Sequence, residues 1–107
     1  MRIQYDILEK DTPKSISFIN NSIGKTNDKT KLYNWFDSNG VRVFISYGAS
    51  GGFGVCLYRK KTQTESSGES DWRMVRESII SSYLTRDAAE EVGFQKAFYL
   101  LEELLTQ

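Results

Sequence analysis

Basic and aromatic side chains make up the residue group with the clearest binding chemistry in this sequence. Arg59, Lys60 and Lys61 form one contiguous basic cluster, and Arg42 lies on a predicted neighbouring strand. Cations grouped in this way attract the phosphates of a nucleic acid. Three adjacent charges are a small electrostatic footprint, so a solvated surface accounts for the same cluster.

Two tyrosines add to this candidate surface. Leu100 and Leu101 fill the core side of a predicted C-terminal helix, which leaves Tyr99 exposed and able to form an aromatic patch with Tyr58 or Trp72. Aromatic patches are enriched in protein interfaces and in single-stranded nucleic-acid platforms. The candidate contact residues for a partner or a nucleic acid are therefore Arg42, Tyr58, Arg59, Lys60, Lys61 and Tyr99.

Catalytic chemistry has little support in the sequence. The chain has no histidine, which removes the commonest general base and metal ligand. Cys56 lies between Val55 and Leu57 in a predicted strand, and without a base it is expected to be a packing residue. We expect no enzyme activity, no catalytic or metal site and no cofactor.

Two further patterns in the sequence also bear on catalysis. The pairs Glu90-Glu91 and Glu102-Glu103 are neighbours on a predicted helix, so we expect a solvated face. The glycines between residues 48 and 54 fit neither a Walker loop nor a dinucleotide fingerprint, and a hairpin loop is expected there. A carboxylate enzyme built around a pocket at this loop remains an alternative.

The strongest structural signal is the helix predicted after Thr85, its N-cap. Apolar residues recur at steps of three and four, so Phe94, Phe98, Leu101 and Leu105 should lie against a sheet. Glycine within such a helix is unfavourable, which indicates a close approach to a strand or to another helix at residue 93, with a kink that opens a pocket as the alternative.

The centre of the chain predicts strands. Apolar residues alternate from residue 41 to 47, and a returning strand is expected from residue 53 to 60. Residues 62–70 predict a mobile loop, and residues 72–84 predict one or two strands with a bulge near Glu77-Ser78.

The first part of the chain is less regular. Alternation of Ile3, Tyr5 and Ile7 predicts a short strand over residues 1–9, and Thr12-Pro13 predicts the start of a short helix. Whether residues 10–28 are helical or irregular stays open. A helix capped by residue 27 or 28 is expected over residues 29–38, with a strand over residues 31–36 as the alternative.

These elements predict one α+β domain over residues 1–107. An antiparallel meander of three or four strands is covered on one face by two helices, in the core order α-β-β-β-α, after a lead-in of residues 1–28. The net charge is zero, but residues 1–61 carry +5 and residues 62–107 carry −5. One cysteine, no secretory signal and no long apolar run lead us to expect a soluble cytoplasmic protein with no membrane association.

Two stretches resemble small uncharacterised proteins from phages and mobile elements of gut bacteria. They are Leu32-Tyr-Asn-Trp-Phe-Asp-Ser-Asn-Gly-Val-Arg-Val-Phe-Ile-Ser-Tyr47 and Tyr83-Leu-Thr-Arg-Asp-Ala-Ala-Glu-Glu-Val-Gly-Phe-Gln-Lys-Ala-Phe98. In that group a short helix with Trp-Phe or Trp-Leu leads into a strand, and an alanine-containing helix closes the domain. The resemblance implies a fold but no activity for any residue.

The predicted order of elements also resembles the double-stranded-RNA-binding domain, with spaced alanines in the closing helix at Ala88, Ala89 and Ala97. That family grips phosphate with lysines at the start of this helix and a histidine in the first hairpin loop. Residues 85–91 contain no lysine, and the chain contains no histidine. The resemblance therefore implies the fold without its RNA grip.

The sequence thus favours a non-enzymatic accessory protein of a phage or mobile element that binds a protein partner. A homodimer through the sheet face or an edge strand is one form of such binding. Nucleic-acid binding by the basic hairpin is the alternative.

Overall fold

Four helices and three strands make up the described part of the chain, residues 1–48, 51–62, 71–77 and 83–107 of this computed structural model. The protein is therefore an α+β protein with an antiparallel sheet. The elements in chain order are α1 Tyr5–Asp11, α2 Pro13–Asn20, α3 Lys29–Ser38, β1 Val41–Tyr47, β2 Phe53–Lys60, β3 Trp72–Glu77 and α4 Arg86–Leu105. No helix among these is long and apolar enough to cross a membrane.

The sheet has the strand order β1-β2-β3, and both neighbouring pairs are antiparallel. Val43 faces Leu57 and Ile45 faces Val55, and all four side chains are buried on the side that α4 covers. The alternating pattern predicted β1 and β2 with their observed bounds, and both strands are confirmed.

Helix α4 lies across this inner face. Its N-cap is Thr85, whose side chain accepts a hydrogen bond of 3.1 Å from the Ala88 amide. Phe94 and Phe98 are fully buried, as predicted, but Leu105 is 38% exposed. The expectation that Leu105 packs on the sheet is wrong, because α4 contacts β1 and β2 but its last turn borders an open groove with α2.

Gly93 marks the closest approach of α4 to the sheet. A Cβ atom at this position would lie 2.9 Å from Val43 Cγ1 and 3.3 Å from Val55 Cγ1. The predicted close approach is therefore confirmed, and the neighbours are strands rather than another helix. A side chain there would force the helix away from β1 and β2.

Helix α3 forms the second cover of the inner face. Asp28 caps it by accepting a hydrogen bond of 3.1 Å from the Lys31 amide. Leu32 and Phe36 are fully buried, and the Phe36 ring meets the Phe98 ring edge-on at 4.8 Å. The helix is confirmed, and the alternative of a strand over residues 31–36 is wrong.

The N-terminal segment is helical where a strand was predicted. Residues 5–11 form α1, which buries Leu8 completely and leaves Ile7 50% exposed. The Tyr5 hydroxyl donates a hydrogen bond of 2.6 Å to the Thr26 carbonyl oxygen. A strand needs a neighbour for its backbone bonds, whereas a helix satisfies them locally, so the short alternation over residues 1–9 was a misleading signal.

Helix α2 shows that part of residues 10–28 is helical. It starts at Pro13, as the Thr12-Pro13 pair predicted, but the Thr12 hydroxyl donates to the Leu8 carbonyl instead of capping α2. Ser15 joins α2 to α4, because its amide donates to Glu102 Oε1 at 2.8 Å and its hydroxyl donates to the Phe98 carbonyl oxygen.

Strand β3 is confirmed over residues 72–77 and contains a bulge, whereas the bulge predicted near Glu77-Ser78 would lie partly outside the described residues. The pairing with β2 shifts register between Leu57 and Tyr58, which leaves Val75 as the extra residue of β3. The predicted mobile loop lies outside the described residues apart from Thr62. A fourth strand after residue 77 would also lie outside them, apart from a bridge between Tyr83 and Phe53.

Candidate binding face

The side of the sheet opposite α4 carries an aromatic surface. Antiparallel pairing places Arg42 opposite Tyr58 in β1 and β2, and Tyr58 opposite Met74 in β3. Side chains of directly paired residues lie on the same face of a sheet, and alternate residues share that face. We call this surface the open face and define it by Arg42, Phe44, Tyr58, Trp72 and Met74.

The open face is exposed although much of it is apolar. Phe44 is 54% exposed and Met74 is 42% exposed, while Tyr58 and Trp72 are half-buried. Helix α4 packs against β1 and β2, and helix α3 packs against β1, and both cover the inner face. Grouped exposed apolar side chains of this kind are typical of interaction sites.

Arg42 is held in place by two neighbours. Its Nε atom donates to Asp37 Oδ1 at 2.6 Å and its Nη2 atom donates to Asp37 Oδ2 at 3.1 Å. These hydrogen bonds raise the pKa of Arg42. The guanidinium carbon lies 4.1 Å from the centre of the Trp72 ring, which is cation–π geometry. A carboxylate of α3 therefore fixes an arginine against an aromatic ring of β3.

The predicted basic residues are only partly brought together. Lys60 is exposed on the side of the open face, opposite Trp72. Arg59 points to the other side of β2, and its Nη1 atom donates to the Lys60 carbonyl at 3.2 Å. Lys61 follows the strand, and its amide donates to the Asp71 carbonyl at 2.6 Å.

Tyr99 lies apart from Tyr58. It belongs to α4, on the helical side of the sheet, and its hydroxyl donates to Asp11 Oδ2 at 2.6 Å. This hydrogen bond raises the pKa of the Tyr99 phenol. The structure therefore does not combine the two tyrosines into one patch, and Trp72, Met74 and Phe44 accompany Tyr58 instead.

Phe44 and Met74 are the contact candidates that sequence reasoning missed. The period-two pattern of β1 places Phe44 beside Arg42, so this signal was present in the sequence. Met74 could not be assigned in the same way, because the bulge at Val75 interrupts the alternation of β3.

A buried carboxylate lies on the helical side. Glu90 is 3% exposed, so the prediction of a solvated Glu90-Glu91 face is wrong for Glu90. Its Oε2 atom accepts a hydrogen bond of 2.7 Å from the Tyr33 hydroxyl. Its Oε1 atom lies 2.9 Å from Lys29 Nζ, an ion-pair contact without hydrogen-bond geometry. Burial of a charge is tolerated here because a cation and a hydroxyl both face it.

The cluster formed by Glu90, Tyr33 and Lys29 shifts pKa values at the starts of both helices. Burial, and then the hydrogen bond to Glu90, raise the pKa of the Tyr33 phenol above its ordinary range. Lys29 Nζ also lies 2.7 Å from Asp87 Oδ1, and Lys29 lowers the pKa of that carboxyl. The cluster ties the start of α3 to the start of α4, which is a structural role.

Grooves with different linings lie among the described helices. One of about 460 Å³ lies between α2 and the end of α4 and is lined by Pro13, Lys14, Ser17, Phe18, Asn21 and Leu105. Its lining contains no carboxylate and no thiol. Within residues 1–48, 51–62, 71–77 and 83–107, no three histidine, cysteine, aspartate or glutamate side chains are grouped to hold a metal ion.

Comparison with known proteins gives no assignment. No protein-family model matches the chain, and no match was found among curated proteins or among solved structures. The resemblances to phage proteins and to the double-stranded-RNA-binding domain therefore stay predictions from the sequence.

Proposed function

We propose that this chain is a non-enzymatic binding module whose open face docks a protein partner. The observation that carries the proposal is the exposure of Phe44 and Met74 beside the Arg42–Trp72 stack. Tryptophan, tyrosine, methionine and arginine are enriched at protein interfaces and supply much of their binding energy. Because these side chains stand on paired strands, little backbone freedom is lost when a partner binds.

Electrostatics favours a protein over a nucleic acid at this face. The charge of Arg42 is offset by Asp37, a carboxylate that borders the face and is itself partly exposed. A phosphate approaching Arg42 would also approach Asp37, which weakens the attraction. A protein surface can instead use the apolar area and leave this ion pair at the rim.

The non-enzymatic part of the proposal rests on the residue types. The whole sequence lacks histidine, and Cys56, the single thiol, is buried within the sheet. The buried Glu90 is engaged by Tyr33 and Lys29. These positions suit packing and helix attachment better than proton transfer to a substrate.

Site-specific photo-crosslinking in cells of the source organism tests the proposal. A photoreactive phenylalanine analogue replaces Met74 on the open face, and the matched control replaces Leu84, which is 90% exposed and lies outside the three strands. We expect a discrete adduct from position 74 that is absent from position 84, is destroyed by protease and survives nuclease. Equal adduct patterns from both positions would contradict docking at the open face.

Nucleic-acid binding is the second candidate, because exposed Lys60 faces Trp72 across the strand pair. Stacking of a base on an aromatic ring beside a cation is a common single-strand binding mode. The test is a salt-dependent gel shift with single-stranded oligonucleotides, lost on joint replacement of Arg59, Lys60 and Lys61 by alanine. A nuclease-sensitive adduct at position 74 would favour this candidate over a protein partner.

A further inference from the structure

The outer edge of β1 presents backbone groups that no described strand pairs. Gly40 accepts from the Lys60 amide, and the Gly48 amide donates to Gly52, so even-numbered residues bond to β2. Hydrogen-bonding direction alternates along an antiparallel strand. The N–H and C=O groups of Val43, Ile45 and Tyr47 therefore point away from β2.

The two edges of the sheet are protected differently. Strand β3 has a bulge at Val75 and three charged residues among its six, which are standard barriers to edge pairing. Strand β1 has no proline, glycine or register shift between residues 41 and 47. Its single charged residue, Arg42, is already paired with Asp37. An edge with these properties is a template for another strand.

We propose that β1 pairs antiparallel with β1 of a second copy of this chain, which joins two sheets into one of six strands. Val41 has no exposed surface, so the accessible segment begins at Arg42. A two-fold axis at Phe44 then pairs residues 42–46 of one copy with residues 42–46 of the second copy. Val43 faces Ile45 of the second copy, and both contribute edge-directed backbone groups.

The side chains suit this self-pairing. Phe44, which is 54% exposed, faces Phe44 of the second copy in a close, non-hydrogen-bonded pair. Arg42 faces Ser46, so no like charges are opposed. The chain has a net charge of zero, and two copies therefore approach without net repulsion. The short paired segment gives a small interface, so the dimer should dissociate on dilution.

Sedimentation equilibrium over a range of protein concentrations tests the dimer. We expect the mass to rise with concentration from 12.3 kDa towards twice that value. Phe44→Lys and Phe44→Glu should each remain monomeric, and an equimolar mixture should regain the dimer. Met74→Lys, also exposed but on β3, is the matched control and should dimerise as the parent does. Circular dichroism checks that each variant is folded.

Amide hydrogen exchange supplies an internal control within one sample. The Val43 and Ile45 amides should exchange more slowly at high protein concentration, whereas the Phe44 and Ser46 amides, bonded to β2, should be protected at all concentrations.

A parent protein that stays monomeric overturns the proposal, as do Phe44 variants that still dimerise alone. Loss of the dimer in Met74→Lys would assign the contact to the open face instead. The dimer shares Arg42 and Phe44 with the open face but pairs backbone groups of β1 and does not use Met74, so crosslinking at position 74 can fail while the dimer is found.

Discussion

Replacing Gly93 by alanine tests how closely α4 approaches the sheet. The added Cβ would lie 2.9 Å from Val43 Cγ1 and 3.3 Å from Val55 Cγ1. Carbon atoms in contact are normally ~3.5 Å apart or more. Valine is stiff about χ1, so the side chain cannot easily rotate away. The helix or the strand must therefore shift.

Two opposing terms set the expected magnitude. Forcing a methyl group into a well-packed core costs about 1–3 kcal/mol. Alanine in place of glycine inside a helix stabilises the folded state by about 1 kcal/mol. The clash exceeds the helix term because both valines are on paired strands that hold their backbone in place. We expect Gly93→Ala to lower the free energy of unfolding by about 1 kcal/mol, the difference between these terms.

Urea unfolding followed by tryptophan fluorescence measures this change, because Trp35 is buried in the core. Val43→Ala removes the methyl group nearest to the added Cβ. The double variant should therefore be more stable than the sum of the single effects by about 1–2 kcal/mol. Val41→Ala, buried on the same strand but not among the side chains nearest to Gly93, is the control and should be additive.

Two results would refute this reasoning. If Gly93→Ala stabilised the protein by about 1 kcal/mol, the helix term alone would act and α4 would not press on the sheet. If the double variant with Val43→Ala were additive, the strain would lie elsewhere.

Three further changes test the helix starts and their charges. Thr85→Ala should destabilise the protein by about 1 kcal/mol in urea unfolding by removing the α4 cap, and Thr85→Ser should restore the loss. The pKa of the Tyr33 phenol is raised above the ordinary 10.0, so the protonated phenol stabilises the folded state fully below pH 10.0, and this stabilisation is lost as the pH rises above it. Tyr33→Phe should therefore reduce the loss of stability at alkaline pH. An unchanged pH profile would count against this. Lys29 lowers the Asp87 pKa from 3.8, so that contribution is present above pH 3.8 and is lost as the pH falls below it. Asp87→Asn should therefore flatten the acid limb of the stability curve, measured by thermal unfolding at a series of pH values, and an equally steep limb would contradict it.

Local signals explain which elements could be predicted. Helices α3 and α4 start at side-chain caps, Asp28 and Thr85, and each carries apolar residues at helical spacing. Strand β1 alternates between buried and exposed residues along most of its length, and β2 carries Phe53, Val55 and Leu57 on one face. Residues 1–9 also alternate, but no described strand lies beside them to pair with. The sequence of one segment does not show whether another strand will pair with it.

Burial of Glu90 could not be predicted for a related reason. Glu90 is charged and is followed by a second glutamate, and its cover comes from Tyr33 and Lys29, more than fifty residues away along the chain. Sequence spacing within α4 describes one helix surface but not what another helix places against it. The cap at Asp28 placed α3, but its contact with α4 depends on the packing of both helices on the sheet.

The open face depends on one extra residue. The pairs Cys56–Glu77 and Leu57–Arg76 set a register that would place Val75 opposite Tyr58 if it continued. In the structure Met74 occupies that place, because the bulge at Val75 moves every earlier residue of β3 by one position. A shift of one residue turns each side chain to the other face of a sheet.

That shift creates the candidate site. Without the bulge, Trp72 and Met74 would point towards the helices, and Arg73 would lie on the face beside Tyr58 and Arg42. The face would then carry two arginines and suit phosphate. With it, Trp72 receives the Arg42 guanidinium at 4.1 Å, and the face becomes aromatic with the Arg42 charge paired by Asp37. The proposed preference for a protein over a nucleic acid therefore depends on strand register, which alternation along β3 alone does not determine.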